Sequence, residues 1–380
     1  MFADRERTKA ARVLMTADCV GGVWTYTIEL IRSLQRAGIE VALATMGGLL
    51  SNSQLKEMRE FRGFQVYESR FPLEWMEDPW SGVAEAGEWL LDLESKLKPS
   101  LIHLNGYAHG SLPWNAPVVM VGHSCVLSWW RSVKSGNAPP EWDLYRNAVT
   151  RGLRAADIVI APTQWMMSSL QEFYGPLPRT IVIPNARSSG FFGCGDKQPY
   201  VFSMGRIWDE AKNFKLLATA TKDLTWPCYL AGPLELLGCR TAHEFTGINL
   251  LGSLEQHAVA KWLTAAAIYA HPAKYEPFGL SVLEAALSGC ALVLADIGSL
   301  REVWGDAAWF FPPNEPAELR ASLETLIGDE SLRVEMASRA IRRAVRYAPE
   351  NMATPYLDAY KRAMHHHESK HAVAAGGTKA

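Results

Sequence analysis

The chain lacks the features that mark several protein classes. It has no excess of basic charge: 38 Lys and Arg stand against 40 Asp and Glu, a formal net charge of -2. The balance holds by halves, with 19 basic and 19 acidic residues in 1–190, leaving 19 and 21 in 191–380. Neither half offers the basic face that nucleic acid requires, so no nucleic-acid partner is expected. The six cysteines form no CxxC pair and are scattered along 380 residues. Reduced thiols fit that scatter better than a disulfide framework or a zinc site. The N-terminal MFADRERTKAAR is charged and lacks the apolar stretch of a signal peptide. No apolar run reaches the length of a membrane span. The expectation is a cytoplasmic protein, with contact at the inner membrane face left open.

What is present is alternation. At 380 residues, 48% of them hydrophobic, the chain has enough material for two cores. Short apolar runs read as strands at RVLMT, IEVALATM, FQVYE, LIHLN, PVVMVG, DIVIAP and TIVIP, with helical spacing between most of them. Residues 184–199, rich in Gly, Ser and Pro, read as a linker. The pattern then restarts with YVFSMG, CYLAGP, INLLG, AIYAHP, ALVLAD and AWFFP. Continuous apolar strands separated by helices predict parallel sheets covered on both faces. The expected fold class is α/β, with two Rossmann-like doubly wound domains facing a central cleft. The expected boundaries are 1–190 and 191–348. A helix over 349–364 is expected to cross back to the first domain, and 365–380, which opens on three consecutive histidines, to be a disordered tail.

Three local patterns suggest chemistry. GGVW, Gly21 to Trp24, follows the first strand and opens a helix. Two glycines there let backbone approach a ligand, and a helix start offers N–H groups to an anion, although an ordinary tight turn reads the same. GRIWDEAKN follows the first strand of the second half, placing Arg206 and Lys212 where ligands bind in open α/β sheets. Two cations there suit a diphosphate; two solvated side chains are the plainer alternative. The third is YEPFGLSVLEAALSG, 275 to 289. Pro277 keeps Glu276 extended and out of the helix that follows. Phe278, Gly279 and Leu280 bring backbone amides to the helix start, and Glu284 lies more than a turn inside it. A carboxylate accepts pairs of hydroxyl hydrogen bonds, and sugars and ribose carry vicinal hydroxyls. Glu284 on the wet face of a capped helix is the alternative, though its apolar neighbours argue against it.

Taken together and in this order, GGVW, VGHS around His123, GR with Lys212, and the E-x7-E spacing from Glu276 to Glu284 resemble GT-B retaining glycosyltransferases of family 4, the glycosyl transferases group 1. VIPNA at 182–186 resembles the family's crossing between domains, with Ala186 where the family usually has glycine. The resemblance spans about residues 11–364.

The resemblance implies a nucleotide-diphospho-sugar donor, UDP- or GDP-linked, on the second domain. It implies that Arg206 and Lys212 face the diphosphate and that Phe278, Gly279 and Leu280 offer amides. Glu276 would hold the sugar and Glu284 the ribose. Gly21 and Gly22 would approach the phosphates from the first domain, and His123 would sit beside the anomeric carbon. His123 and Glu276 are therefore the expected catalytic positions, His123 as a sugar-positioning group rather than a general base. On the residues alone, His123 also reads as a histidine bonded to backbone. No D-x-D pattern is present, so no metal and no cofactor are expected, with Arg206 and Lys212 in the metal's place. Asp18 and Trp130 are weaker candidates for a glycan, lipid-linked or small-molecule acceptor. Eight of the fourteen tryptophans lie between Trp75 and Trp165, most of them expected in the core. His103 and Asn105 end a strand at the cleft edge, and His271 reads as structural. The expected activity is retaining, metal-independent hexosyl transfer in polysaccharide or glycoconjugate assembly. The alternatives are a GT-B phosphorylase and a catalytically silent nucleotide-sugar-binding protein.

Overall fold

A computed structural model describes residues 11–59, 61, 64–177, 179–234 and 245–376, without side chains beyond residue 370. The strands of the first half are β1 (Arg12–Asp18), β2 (Glu40–Met46), β3 (Gln65–Glu68), β4 (Leu101–Leu104), β5 (Val118–Val121), β6 (Ile158–Ala161) and β7 (Thr180–Val182). Those of the second are β8 (Gln198–Met204), β9 (Cys228–Ala231), β10 (Asn249–Gly252), β11 (Ala266–His271), β12 (Ala291–Ala295) and β13 (Trp309–Phe311). Each expected strand is present. The first sheet runs β3-β2-β1-β4-β5-β6-β7 and the second β10-β9-β8-β11-β12-β13, and every recorded pairing is parallel.

Both faces of each sheet are buried, which explains the continuous apolar strands. In β1, Val13, Met15 and Ala17 pack on one side and Leu14 on the other. In β12, Leu292 and Leu294 face one cluster while Ala291, Val293 and Ala295 face the other. Helix Gly22–Arg36 lays Ile28, Ile31 and Leu34, all fully buried, on the first sheet. Each such side chain contributes roughly 1.5–3 kcal/mol of burial.

Strand order reverses between β1 and β4 in one sheet and between β8 and β11 in the other. Ligands of open α/β sheets bind beyond the carboxyl ends of strands at such points. The residues at those ends are Asp18 and Asn105 in the first domain and Arg206 and Glu276 in the second.

The stretch 184–199 is not a loose linker throughout: Asn185, Ala186 and Arg187 are buried. A second crossing leads into helix Pro349–Gly376, whose Met352, Tyr356, Tyr360 and Ala363 share a core with helix Gly22–Arg36. The expected disordered tail requires correction. That helix runs through residues 365–376, with Lys370 Nζ 2.8 Å from Asp157 Oδ1 and His367 Nε2 3.0 Å from Asn115 O. Extending a packed helix adds one backbone hydrogen bond per residue fixed and needs no new nucleus. Residues 377–380 lie outside the described residues. No described helix is long and apolar enough to cross a membrane.

Candidate active site

Glu276 is the centre of the second domain's half. Its Oε2 receives Lys212 Nζ at 2.7 Å and meets His271 Nε2 at 3.0 Å. Ser299 Oγ donates to the Glu276 carbonyl at 2.5 Å, and Thr163 Oγ1 of the first domain donates to the carbonyl of Pro277 at 3.0 Å. Burial works to raise the Glu276 carboxyl, but Lys212 and His271 outweigh it and hold it well below the usual carboxylate range. His271, read from sequence as structural, is fully buried and orients this carboxylate.

Arg206 is partly exposed, paired with Asp209 at 2.7 Å, and its guanidinium lies 5.2 Å from the Trp208 ring centroid. It also faces the first domain. A Cβ on Gly21, whose φ is +79°, would lie 2.7 Å from Arg206 Nη1. A Cβ on Gly22 would lie 3.7 Å from Leu280 Cδ1, in the first turn of helix Leu280–Leu287. The glycine turn and these loops of the second domain therefore close on one another. Gly279 precedes that helix with φ +90°, a conformation a side chain would strain, and the first-turn amides have no intrahelical acceptor.

In the first domain, Asn105 organises the histidines. Its Nδ2 donates to Thr16 O at 2.7 Å, which turns Oδ1 toward His123 Nε2 at 2.8 Å and His103 Nε2 at 3.3 Å. An amide oxygen only accepts, so His123 carries its proton on Nε2 and leaves Nδ1 as an acceptor. Burial, helped by nearby His103, lowers the His123 pKa to about 3. His103 is likewise lowered to about 3 by burial, although its bond to Asn105 opposes this. Its Nδ1 meets Tyr360 Oη of the returning helix at 2.7 Å, and Tyr26 packs edge-on against the His123 ring with centroids 4.5 Å apart.

Asp18 and Glu74 add two carboxylates on this side. Burial and the charge of Glu74 raise Asp18 to about 7, with Arg206 opposing. Burial raises Glu74 to about 6, although it accepts from the amides of Tyr107 and Ala108. Glu74 carried no sequence signal; it is one carboxylate in an acidic stretch. Trp130 packs between Trp129 and Trp142, whereas Trp129 joins Tyr275 and Ala211 at the seam between domains.

Glu284 is 8% exposed and bonded by the buried Arg187, whose Nε lies 2.7 Å from Glu284 Oε1. Arg187 Nη1 reaches Glu29 Oε1 at 2.8 Å. Burial raises the Glu284 carboxyl, and Arg187 opposes that rise.

A model of Glycosyltransferase Family 4 matches residues 20–188, and one of Glycosyl transferases group 1 matches residues 188–343. The chain belongs to the glycosyl transferases group 1. Among this group-1 chain's relatives, the D-inositol 3-phosphate glycosyltransferase of Kineococcus radiotolerans is 26% identical over 403 aligned positions, covering 90% of this chain and 91% of that one. The O-antigen chain mannosyltransferase B of Escherichia coli is 32% identical over 114 residues, 30% of each chain, so that match spans under a third of the relative. Among solved structures, sucrose-phosphate synthase from Thermosynechococcus elongatus superposes with a TM-score of 0.78 at 16% identity, covering 93% of this chain and 98% of that one. HepE from Anabaena, in complex with UDP and glucose, gives 0.72 at 18% identity, covering 93% and 100%. Their common architecture is GT-B, which the two parallel-sheet domains share.

Proposed function

We propose that this group-1 glycosyltransferase moves a hexose from a nucleotide-diphospho-sugar to a hydroxyl of a glycan, lipid-linked or small-molecule acceptor, with retention and without a metal. The observation that carries the reading is the Lys212–Glu276–His271 cluster, together with Arg206 set against the Gly21 turn.

Two cations and a helix start stabilise charge developing on a leaving diphosphate. Glu276, held ionised, accepts from sugar hydroxyls. Glu284 accepts from the ribose. His123 is neutral, and with a pKa near 3 it is too weak a base to take a proton at neutral pH. Its Nδ1 lone pair suits a sugar hydroxyl instead. The departing diphosphate is then the base at hand. The acceptor oxygen bonds to the anomeric carbon on the face from which the phosphate oxygen leaves, and its proton passes to that diphosphate. The complex of HepE with UDP and glucose supports a donor of this class, and the O-antigen chain mannosyltransferase and D-inositol 3-phosphate glycosyltransferase relatives support a hydroxyl acceptor.

The test is transfer from UDP- and GDP-hexoses in the presence of EDTA, offered to polyprenyl-diphosphate sugars, sugar phosphates and inositol phosphates. NMR of the product reads the anomeric configuration. A product with the donor's configuration, formed at an undiminished rate in EDTA, is expected. An inverted linkage, or loss of turnover in EDTA, contradicts the reading.

A further inference from the structure

Arg187 occupies an unusual place. Its side chain is 4% exposed and lies in the first crossing between the domains. Its backbone N–H donates to Tyr347 O, in the second crossing, at 3.1 Å. Both crossings are therefore joined at this residue. Its guanidinium lies 5.2 Å from the Phe192 ring centroid. On one side it reaches Glu29 of helix Gly22–Arg36, on the other Glu284 of helix Leu280–Leu287. Glu29 Oε1 also receives the amide of Ser188 at 3.3 Å and lies 3.7 Å from Arg32 Nη1. Arg32 in turn pairs with Glu57 at 3.5 Å. Charges thus alternate from the first domain through the hinge to the donor side.

Two features indicate more than a structural bridge. A buried ion pair is a poor source of stability, since well-packed apolar side chains of similar volume usually do as well or better. Also, Arg187 engages only Oε1 of Glu284: among the described residues Oε2 takes no partner, and the side chain retains 11% exposure.

Resting on the donor reading above, we propose that Arg187 is a positioning residue. It holds Glu284 with one oxygen engaged and the other open to the nucleotide's ribose diol, and through Glu29 it ties that carboxylate to the helix that begins at Gly22. Without the guanidinium, Glu29 and Glu284 become buried carboxylates short of a partner. Such groups take up protons, and a protonated Glu284 is a weaker acceptor for two hydroxyls. A planar fork fixes the orientation of both carboxylates at once, and a lysine fixes it less well.

The readout is ribose discrimination: the ratio of Kd for UDP and 2′-deoxy-UDP, and for GDP and 2′-deoxy-GDP, by calorimetry on the full chain. The native protein is expected to prefer the ribonucleotide by about tenfold or more, the value of a hydrogen bond to a charged group. Arg187→Met is expected to bring that ratio to within about twofold, and Arg187→Lys to restore part of it. Because Arg187→Met leaves Glu284 without a counter-charge and Glu29 with only the more distant Arg32, and is open to misfolding, Arg187→Met/Glu29→Gln supplies a charge-balanced version read the same way. A folded variant that keeps the native ratio overturns the proposal, as does a native protein that binds nucleotide without ribose preference. If the native protein binds none of these nucleotides, the donor reading itself fails instead.

Discussion

Lys212 and Glu276 neutralise one another across 2.7 Å at the carboxyl edge of the second sheet, although they are 64 positions apart. The cation expected to face a diphosphate is already partnered. On the proposed function, an incoming donor would share Lys212 with Glu276, or draw it away while sugar hydroxyls take over the carboxylate.

The two residues should therefore differ when replaced. Glu276→Gln leaves Lys212 without its counter-charge, so nucleoside diphosphate affinity should hold or rise, while kcat falls by on the order of 10²–10³ as a fixed transition-state contact is lost. Lys212→Met should lower both. Calorimetry with UDP and GDP, beside steady-state kinetics, separates the two outcomes. Parallel losses of nucleotide affinity in both variants would contradict the arrangement.

Gly21 tests the closure of the two halves. Its φ of +79° costs a side chain roughly 1 kcal/mol, and a Cβ would meet the end of Arg206 at 2.7 Å. That side chain can move aside, so steric relief comes from displacing Arg206 rather than from unfolding. Gly21→Ala should remain folded by circular dichroism, lose about 1 kcal/mol in denaturant unfolding, and show a raised donor KM. The contrast is Gly232, where a Cβ would lie 1.7 Å from the Gly205 carbonyl, a backbone atom that cannot step aside. Gly232→Ala should fail mainly in stability. An unchanged donor KM in Gly21→Ala would remove the turn from the donor site.

The buried histidines should withdraw stability as pH drops below the ordinary histidine range, while Asp18 and Glu74, raised to about 7 and about 6, take up protons in the fold and oppose part of that loss. His103 and His123, lowered to about 3, and His109 and His271, also lowered, are all kept neutral by burial. Below pH 6.5 the unfolded chain binds protons that the native chain does not. The stabilisation is thus complete above that value and is lost as pH falls toward the folded pKa values, by up to about 1.4 kcal/mol per pH unit for each histidine. His123→Gln should reduce the loss between pH 7 and 5.5 by about 1 kcal/mol in urea unfolding. An equal pH response in both proteins would show that His123 is protonated in the fold.

These residues also show what the sequence made legible. The strands announced themselves because burial on both faces forces continuous apolar runs, and the edge where they end followed from parallel order. Glu276 stood out because Pro277 fixes its backbone. Arg187 did not: it follows Ala186 in a Gly- and Ser-rich stretch that reads as linker, and its partners lie 158 and 97 positions away. Charge pairing over such separations leaves no local pattern. His271 lies five positions before Glu276, but only the turn between them brings its ring to the carboxylate. Residues 365–376 look like a polar tail because their helix is set by the packed helix before them rather than by an apolar face of their own.

The most direct test of the account is calorimetric titration of the full chain with nucleoside diphosphates, without divalent metal and with EDTA present. The account predicts that UDP or GDP binds, and that Lys212→Met and Glu284→Gln each weaken it by about tenfold or more while remaining folded. Binding of neither nucleotide, or binding that neither substitution affects, would contradict a donor site built from these residues.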